Sequence, residues 1–236
     1  MKQLKDFFKD LKVDSVLDIG TGTGDFIAAL KEVFLSAQLT GIDPNTNSLN
    51  EAKQKYPEVN FVEMGGENLS FEDNSFDVAS ISMALHHLPD ISKTLNEMRR
   101  VVKPGGWIIV NELFSDNLSP AQEVHKMYHH FRSSVDRLIG VSHNPTFKKS
   151  EILEIIENAG IDIKFHFDFN KSKNMISKPE DVEFYVQKME QMLEPVKDFP
   201  EYSSLKPEIE KFRKAALKHG FQQAMKVVIV GKNESA

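Results

Sequence analysis

Val16-Leu17-Asp18-Ile19-Gly20-Thr21-Gly22-Thr23-Gly24-Asp25-Phe26 is the stretch that decides the fold of this chain. A short apolar run enters three alternating glycines, and apolar residues at helical spacing follow. The order reads as a buried strand, a tight turn and a helix. Glycines without Cβ atoms let a ligand approach the backbone. The following helix turns its positive N-terminal end toward whatever lies in the turn. Such a turn suits an anionic or strongly polar group.

The residues downstream sharpen that reading. Gln38-Leu39-Thr40-Gly41-Ile42-Asp43 reads as a second strand ending in a carboxylate. An acidic residue roughly 20 positions after a glycine turn can accept hydrogen bonds from both ribose hydroxyls. The dinucleotide fingerprint is G-x-G-x-x-G, whereas this turn reads G-x-G-x-G, with Asp25 where the third fingerprint glycine would fall. A carboxylate beside a pyrophosphate is repulsive. The pattern therefore argues against NAD and for a nucleoside that carries a cationic or zwitterionic group.

Two further motifs follow in order: Asn74-Ser75-Phe76-Asp77-Val78 through Ala84-Leu85-His86-His87-Leu88, then Val102-Lys103-Pro104-Gly105-Gly106-Trp107-Ile108-Ile109-Val110. With the glycine turn and Gly41-Ile42-Asp43-Pro44, the chain resembles the class I S-adenosylmethionine-dependent methyltransferases, closely over its first half and in outline beyond. Within them it is similar to the ubiquinone/menaquinone-biosynthesis group. The resemblance implies an α/β fold: a doubly wound, mostly parallel seven-stranded sheet of Rossmann-like type with a helical cap. It implies S-adenosylmethionine as cofactor and methyl transfer to a small-molecule acceptor.

The resemblance also assigns residues. Asp18 lies near the cofactor's methionine amino group, and Gly20, Gly22 and Gly24 act through the absence of a side chain. Thr21 contacts the methionine portion, Asp43 the ribose, and Pro44 shapes the wall beside the adenine. Gly65, Gly66 and Glu67 follow the third strand, and Ser82 and Met83 close the fourth. One position departs from the pattern. Gly65 stands where related sequences often carry an acidic residue, so the base edge is left to backbone groups at Gly65 and Gly66.

The bulk numbers fit this picture. The chain has 236 residues, enough for one large α/β domain. Its formal charge of −6, from 29 basic and 35 acidic residues, does not suit a protein whose main partner is a phosphate backbone. An Asn/Asp-Pro-Pro-aromatic motif of nucleic-acid methyltransferases is also lacking. There is no cysteine, hence no disulfide and no thiolate chemistry. No secretory h-region opens the chain and no apolar run approaches a membrane span, so a cytoplasmic location is expected. Oligomeric state is not legible.

Apolar periodicity places strands at Ser15 to Ile19, Leu39 to Ile42, Asn60 to Met64, Phe76 to Met83, Trp107 to Glu112, Ile161 to Phe169 and Met225 to Val230. An opening helix carries Leu4, Phe7, Phe8 and Leu11 and is expected near the glycine turn. Other helices are expected at Asn45 to Tyr56, Ile91 to Val102, Ser119 to Ile139, Lys148 to Asn158, Pro179 to Leu193 and Lys206 to Lys218, with a polar loop over Asn170 to Lys178. One domain is read over residues 1–236, with 1–118 as its cofactor-binding half. Residues 119–147 and 170–224 are read as cap insertions on the substrate side.

No residue is expected to be universally catalytic, because the cofactor carries the driving force for methyl transfer. His86, His87 and His129 are the candidates for a general base. His125, His129, Arg132 and Asp136 form one polar stripe on a helix, read as a solvated face or as a surface that meets an anionic substrate. His125 and His129 have metal-ligand spacing, but without H-E-x-x-H or cysteine no metal is expected. The alternative to an enzyme is a non-catalytic S-adenosylmethionine-binding regulator or subunit.

Overall fold

The computed structural model describes residues 1–170 and 175–234. Part of the expected polar loop, residues 171–174, lies outside the described residues. The chain divides into two compact units. The first takes in Met1–Glu112, Ser150–Phe169 and the stretch from Val227, and the second Leu113–Lys149 and Asn170–Lys226.

The first unit is built on a seven-stranded sheet. Its strands are β1 (Ser15–Ile19), β2 (Gln38–Asp43), β3 (Asn60–Glu63), β4 (Phe76–Ser82), β5 (Val102–Leu113), β6 (Ile161–Phe169) and β7 (Lys226–Asn233). Their order is β3-β2-β1-β4-β5-β7-β6; the pairs from β3 through β5 are parallel, and the mostly parallel sheet includes an antiparallel pair. The helices of this unit are α1 (Lys2–Phe8), α2 (Asp25–Val33), α3 (Thr46–Lys55), α4 (Ile91–Val101) and α6 (Lys149–Asn158). The order steps outward from β1 in both directions, so β1 and β4 flank the switch point. Open α/β sheets bind ligands there, beyond the carboxyl ends of the strands.

Local chemistry explains these elements. β1 and β4 are near-continuous apolar runs, as strands covered on both faces must be. Asn45 and Asp90 cap α3 and α4, each side chain accepting from a backbone N–H of the first turn. The rings of α1 meet Phe34, Trp107 and Phe165. Phe34 lies at the far end of α2 from the glycine turn, so these contacts are away from the turn where α1 was expected. β5 begins five residues earlier than expected. Phe76 faces Val102 but Val78 faces Trp107, so Lys103 to Gly106 form a bulge inside the strand.

Asp77 ties the strand entrances together. Its Oδ2 accepts from the N–H groups of Asp14 and Ser15 and from Ser15 Oγ, and its Oδ1 from Lys103 Nζ at 2.6 Å. Partial burial alone would raise its pKa, but Lys103 and the three donors outweigh that and hold it below the ordinary carboxylate value. Asp77→Ala removes the common acceptor and should cost about 2 kcal/mol in urea unfolding. A change within error would show that water replaces the carboxylate at no cost.

The second unit packs α5 (Pro120–Leu138), α7 (Pro179–Leu193) and α8 (Tyr202–His219) around their own apolar core. Val124, Phe131 and Val135 of α5 meet Val186 and Met189 of α7 and Phe212 of α8 within it. A capping box between Ser119 and Gln122 starts α5, with Pro120 in the first turn. α8 begins four residues before the expected Lys206. Pro207 sits inside it, in the second turn, where it removes one backbone hydrogen bond. Among the described residues no helix is long and apolar enough to cross a membrane.

Candidate cofactor site and the methyltransferase domain

The β1–α2 turn holds three left-handed residues, Gly20, Gly22 and Gly24, at φ 66°, 52° and 83°. They bring successive backbone groups to one edge. Thr21 N–H donates to Ile42 O at 2.9 Å, fastening the turn to β2. A Cβ on Gly22 would meet no protein atom within 4 Å, so this glycine faces open space.

Asp43 ends β2 beside the turn. Gly22 N–H donates to its Oδ2 at 2.9 Å and Asn45 N–H to its Oδ1 at 2.8 Å. Each carboxylate oxygen thus has one backbone donor and keeps further acceptor capacity. The side chain is half-buried, so it is fixed in direction and still accessible.

Asp18, at the end of β1, is 1 % exposed. Its Oδ1 accepts from Ser80 Oγ at 2.7 Å, while Oδ2 is buried without a partner. Burial pushes its pKa up to about 6. The Ser80 hydroxyl opposes that rise, as does the nearby Thr21 hydroxyl, which is close without meeting hydrogen-bond geometry. The charge of Asp43 adds to the rise. An orphaned buried carboxylate oxygen and an open glycine edge fit a ligand that brings a cationic group to the turn. A pyrophosphate would instead meet two carboxylates. Asp25 opens α2 and is exposed, its charge favourable at the helix N-terminus and competing with any anion there.

The Asp18 shift predicts a pH signature. The unfolded chain ionises Asp18 near its ordinary value of 3.8, and the folded chain near 6. Between them the folded state holds the extra proton, so this group lowers the unliganded protein's stability as pH rises through that window. The loss is up to about 3 kcal/mol. Urea unfolding at both ends of the window should show a larger loss for the wild type than for Asp18→Asn, and equal losses would contradict the assignment.

The remaining expected residues lie at neighbouring strand ends. Pro44 follows Asp43 and is exposed, while Gly65, Gly66 and Glu67 follow β3. The loop after them is braced by Glu97 and Arg100 of α4. Glu97 accepts from Leu69 N–H, and Arg100 donates to Leu69 O, Phe71 O and Asp73. Ser82 Oγ accepts from Asn111 Nδ2 at 2.8 Å, and Met83 takes a left-handed φ of 55°. A non-glycine residue in that region stores strain, and such strain gathers at functional edges. Sequence reasoning missed Ser80, although a hydroxyl in the middle of the apolar β4 run was visible.

His86 is buried on a short 3-10 turn, Leu85–His87, and its Nδ1 lies 2.9 Å from Oε1 of the buried Glu112. An ionised carboxylate only accepts, so Nδ1 carries the proton in that arrangement. His87 stacks obliquely on His86. In the second unit, His125 is largely buried beside Phe221, and burial, with the charge of Lys226, pushes its pKa down to about 4. His129 meets His143, a residue the sequence reading did not single out.

Comparison with known proteins now bears on this geometry. The family described as "Methyltransferase domain" matches residues 17–110, which take in the end of β1, the glycine turn, Asp43 and most of β5. Residues 17–110, less than half of this chain, are thus similar to a methyltransferase domain. Their fold and motifs are those of the class I, S-adenosylmethionine-dependent group. The chain is 40% identical over 109 residues to a ubiquinone/menaquinone biosynthesis C-methyltransferase of Campylobacter jejuni, covering 44% of this chain and 45% of that protein. It is 37% identical over 134 residues to a demethylmenaquinone methyltransferase of Staphylococcus haemolyticus, covering 54% and 56%. The chain thus matches about half the length of these curated relatives. Among solved structures, a candidate methyltransferase from Bacillus halodurans covers 100% of both chains at TM-score 0.68 and 19% identity. A SAM-dependent methyltransferase from Methanosarcina mazei covers 96% of both at TM-score 0.59 and 17% identity. At such identities the likeness speaks for the fold of the methyltransferase domain and its surroundings.

Proposed function

We propose that this protein transfers a methyl group from S-adenosylmethionine to a small-molecule acceptor. The observation that carries the reading is the pairing of Asp18 and Asp43 around the open edge of Gly22. One carboxylate is buried with an unpartnered oxygen, and the other is aimed by two backbone donors. Asp18 Oδ2 would hold the cationic amino group of the cofactor, Asp43 the two ribose hydroxyls, and the Gly20 to Gly24 backbone the methionine portion. Gly65, Gly66 and Glu67 would border the base, and Ser82 and Met83 the exit of β4.

When bound, S-adenosylmethionine supplies an electrophilic methyl on a sulfonium. The protein's part is to bind, orient and exclude water. A carbon acceptor on a hydroxylated ring would also need its hydroxyl proton removed. No residue is assigned to that step. His86 is tied to Glu112 and His129 to His143, so both have structural work whatever else they do. The acceptor first to be tested is a demethylated hydroquinone, because relatives matched along about half of their length are named for ubiquinone/menaquinone biosynthesis and demethylmenaquinone methylation. The second unit, which interrupts the sequence after β5 and again after β6, is read as the carrier of acceptor choice.

The test is to incubate the protein with S-adenosylmethionine and a panel of small acceptors, demethylated hydroquinones among them, and to follow S-adenosylhomocysteine by mass spectrometry. Acceptor-dependent release supports methyl transfer and names the class. Tight cofactor binding without release across the panel would favour a non-catalytic binding role.

A further inference from the structure

The second unit carries a pair of histidines, one on α5 and one on the segment that follows it. α5 ends in a Schellman turn. Gly140 is left-handed at φ 80°, its N–H donates to Arg137 O at 3.1 Å, and Val141 N–H donates to Asp136 O at 2.8 Å. The chain therefore doubles back along α5. The returning segment is fastened: Arg137 donates to His143 O at 2.9 Å, and Thr146 Oγ1 lies 2.7 Å from His130 Nε2. This brings His143 against α5 with only 2 % of its surface exposed.

Two contacts of His143 are specific. Its Nδ1 lies 2.6 Å from Asp136 Oδ2, and its Nε2 lies 3.3 Å from Nε2 of His129. Arg132 Nε lies 3.5 Å from the same Asp136 oxygen. An ionised carboxylate accepts, so Nδ1 of His143 carries the proton and Nε2 presents its lone pair toward His129. A histidine whose second nitrogen donates to a carboxylate is the usual support of a metal-ligating imidazole. Two imidazole nitrogens bound at about 2.0–2.1 Å to one tetrahedral ion stand about 3.4 Å apart, close to the separation seen here.

We propose that His129 and His143 are two ligands of a transition-metal site, with Asp136 orienting His143. Imidazole donors suit zinc among the common divalent ions. The remaining coordination positions take water or another oxygen or nitrogen donor. The pair was not legible from spacing. His125 and His129 had the i, i+4 pattern, but His125 packs on Phe221 and His143 comes from the loop beyond the helix.

The test uses tag-free, chelator-treated full-length protein titrated calorimetrically with zinc chloride, and with cobalt chloride followed by visible absorption. The expected result is one equivalent of zinc bound and an intense cobalt band of tetrahedral type. His129→Gln and His143→Gln should each abolish saturable binding, while His125→Gln leaves it. Asp136→Asn should weaken affinity by about 10- to 100-fold. Circular dichroism establishes that each variant is folded, and the cobalt spectrum of the wild type needs no variant. The absence of stoichiometric binding, or binding that survives in the folded double variant, would overturn the proposal and leave a histidine pair sharing one proton.

Discussion

Asp43→Ala is expected to raise the dissociation constant for S-adenosylmethionine by about 100-fold, a loss of about 3 kcal/mol. Two effects combine. The ribose hydroxyls would lose a charged acceptor, and hydrogen bonds to charged groups contribute about 1.5–3 kcal/mol each. The N–H groups of Gly22 and Asn45 also lose the carboxylate that aims them, at 2.9 and 2.8 Å, so the turn is less ordered before the ligand arrives. Asp43→Asn separates the two. Its amide oxygen can serve one backbone donor, but its NH₂ cannot accept from the other, so a smaller loss is expected. Calorimetric titration of both variants checks this. Wild-type affinity in Asp43→Ala would remove Asp43 from the ligand site.

The second large effect divides the glycine turn into a packing position and a binding position. Gly20 and Gly22 are both left-handed, so a side chain at either costs about 1–2 kcal/mol in backbone strain. Their surroundings differ. A Cβ on Gly20 would lie 2.6 Å from Ala84 Cβ, which no real contact allows. A Cβ on Gly22 meets nothing within 4 Å. Gly20→Ala should therefore cost about 3 kcal/mol of stability, adding overpacking to strain. Gly22→Leu should cost only the strain, yet remove detectable cofactor binding, because its side chain fills the open edge. Denaturant unfolding and binding, measured on both variants, test the contrast. A folded Gly22→Leu that binds as the wild type does would mean that the ligand lies elsewhere.

Much of the first unit was legible in the sequence because its signals are local. The strand bounds of β1 and β6 are as expected, since a buried strand needs its whole run apolar or alternating. Asp43 was singled out by its distance to the glycine turn, and Asp18 by the family resemblance. What could not be read were partners set by register. Ser80 meets Asp18 only because β4 lies alongside β1 in a register that pairs those two residues. Glu112 meets His86 across 26 positions, and Asp77 reaches back to Asp14 across 63. The second unit was less legible still. Helix periodicity gave α5 and α7, but the polar stripe on α5 was weighed as a solvated or substrate-facing surface. Its partner, His143, arrives through a left-handed turn at Gly140, and no periodicity carries that information. The bulge at Gly105 and Gly106 was read as a turn before the strand, because paired glycines signal a break and do not say which strand contains it.

The most direct test is equilibrium titration of the wild-type protein with S-adenosylmethionine and, in a parallel run, with NAD. Asp18 and Asp43 at the open edge of Gly22 predict one S-adenosylmethionine site of micromolar affinity, weakening below about pH 6 as Asp18 takes up its proton, with no saturable NAD binding. Saturable NAD binding, or no S-adenosylmethionine binding between pH 6.5 and 8, would contradict the assignment of this turn to a sulfonium-bearing nucleoside.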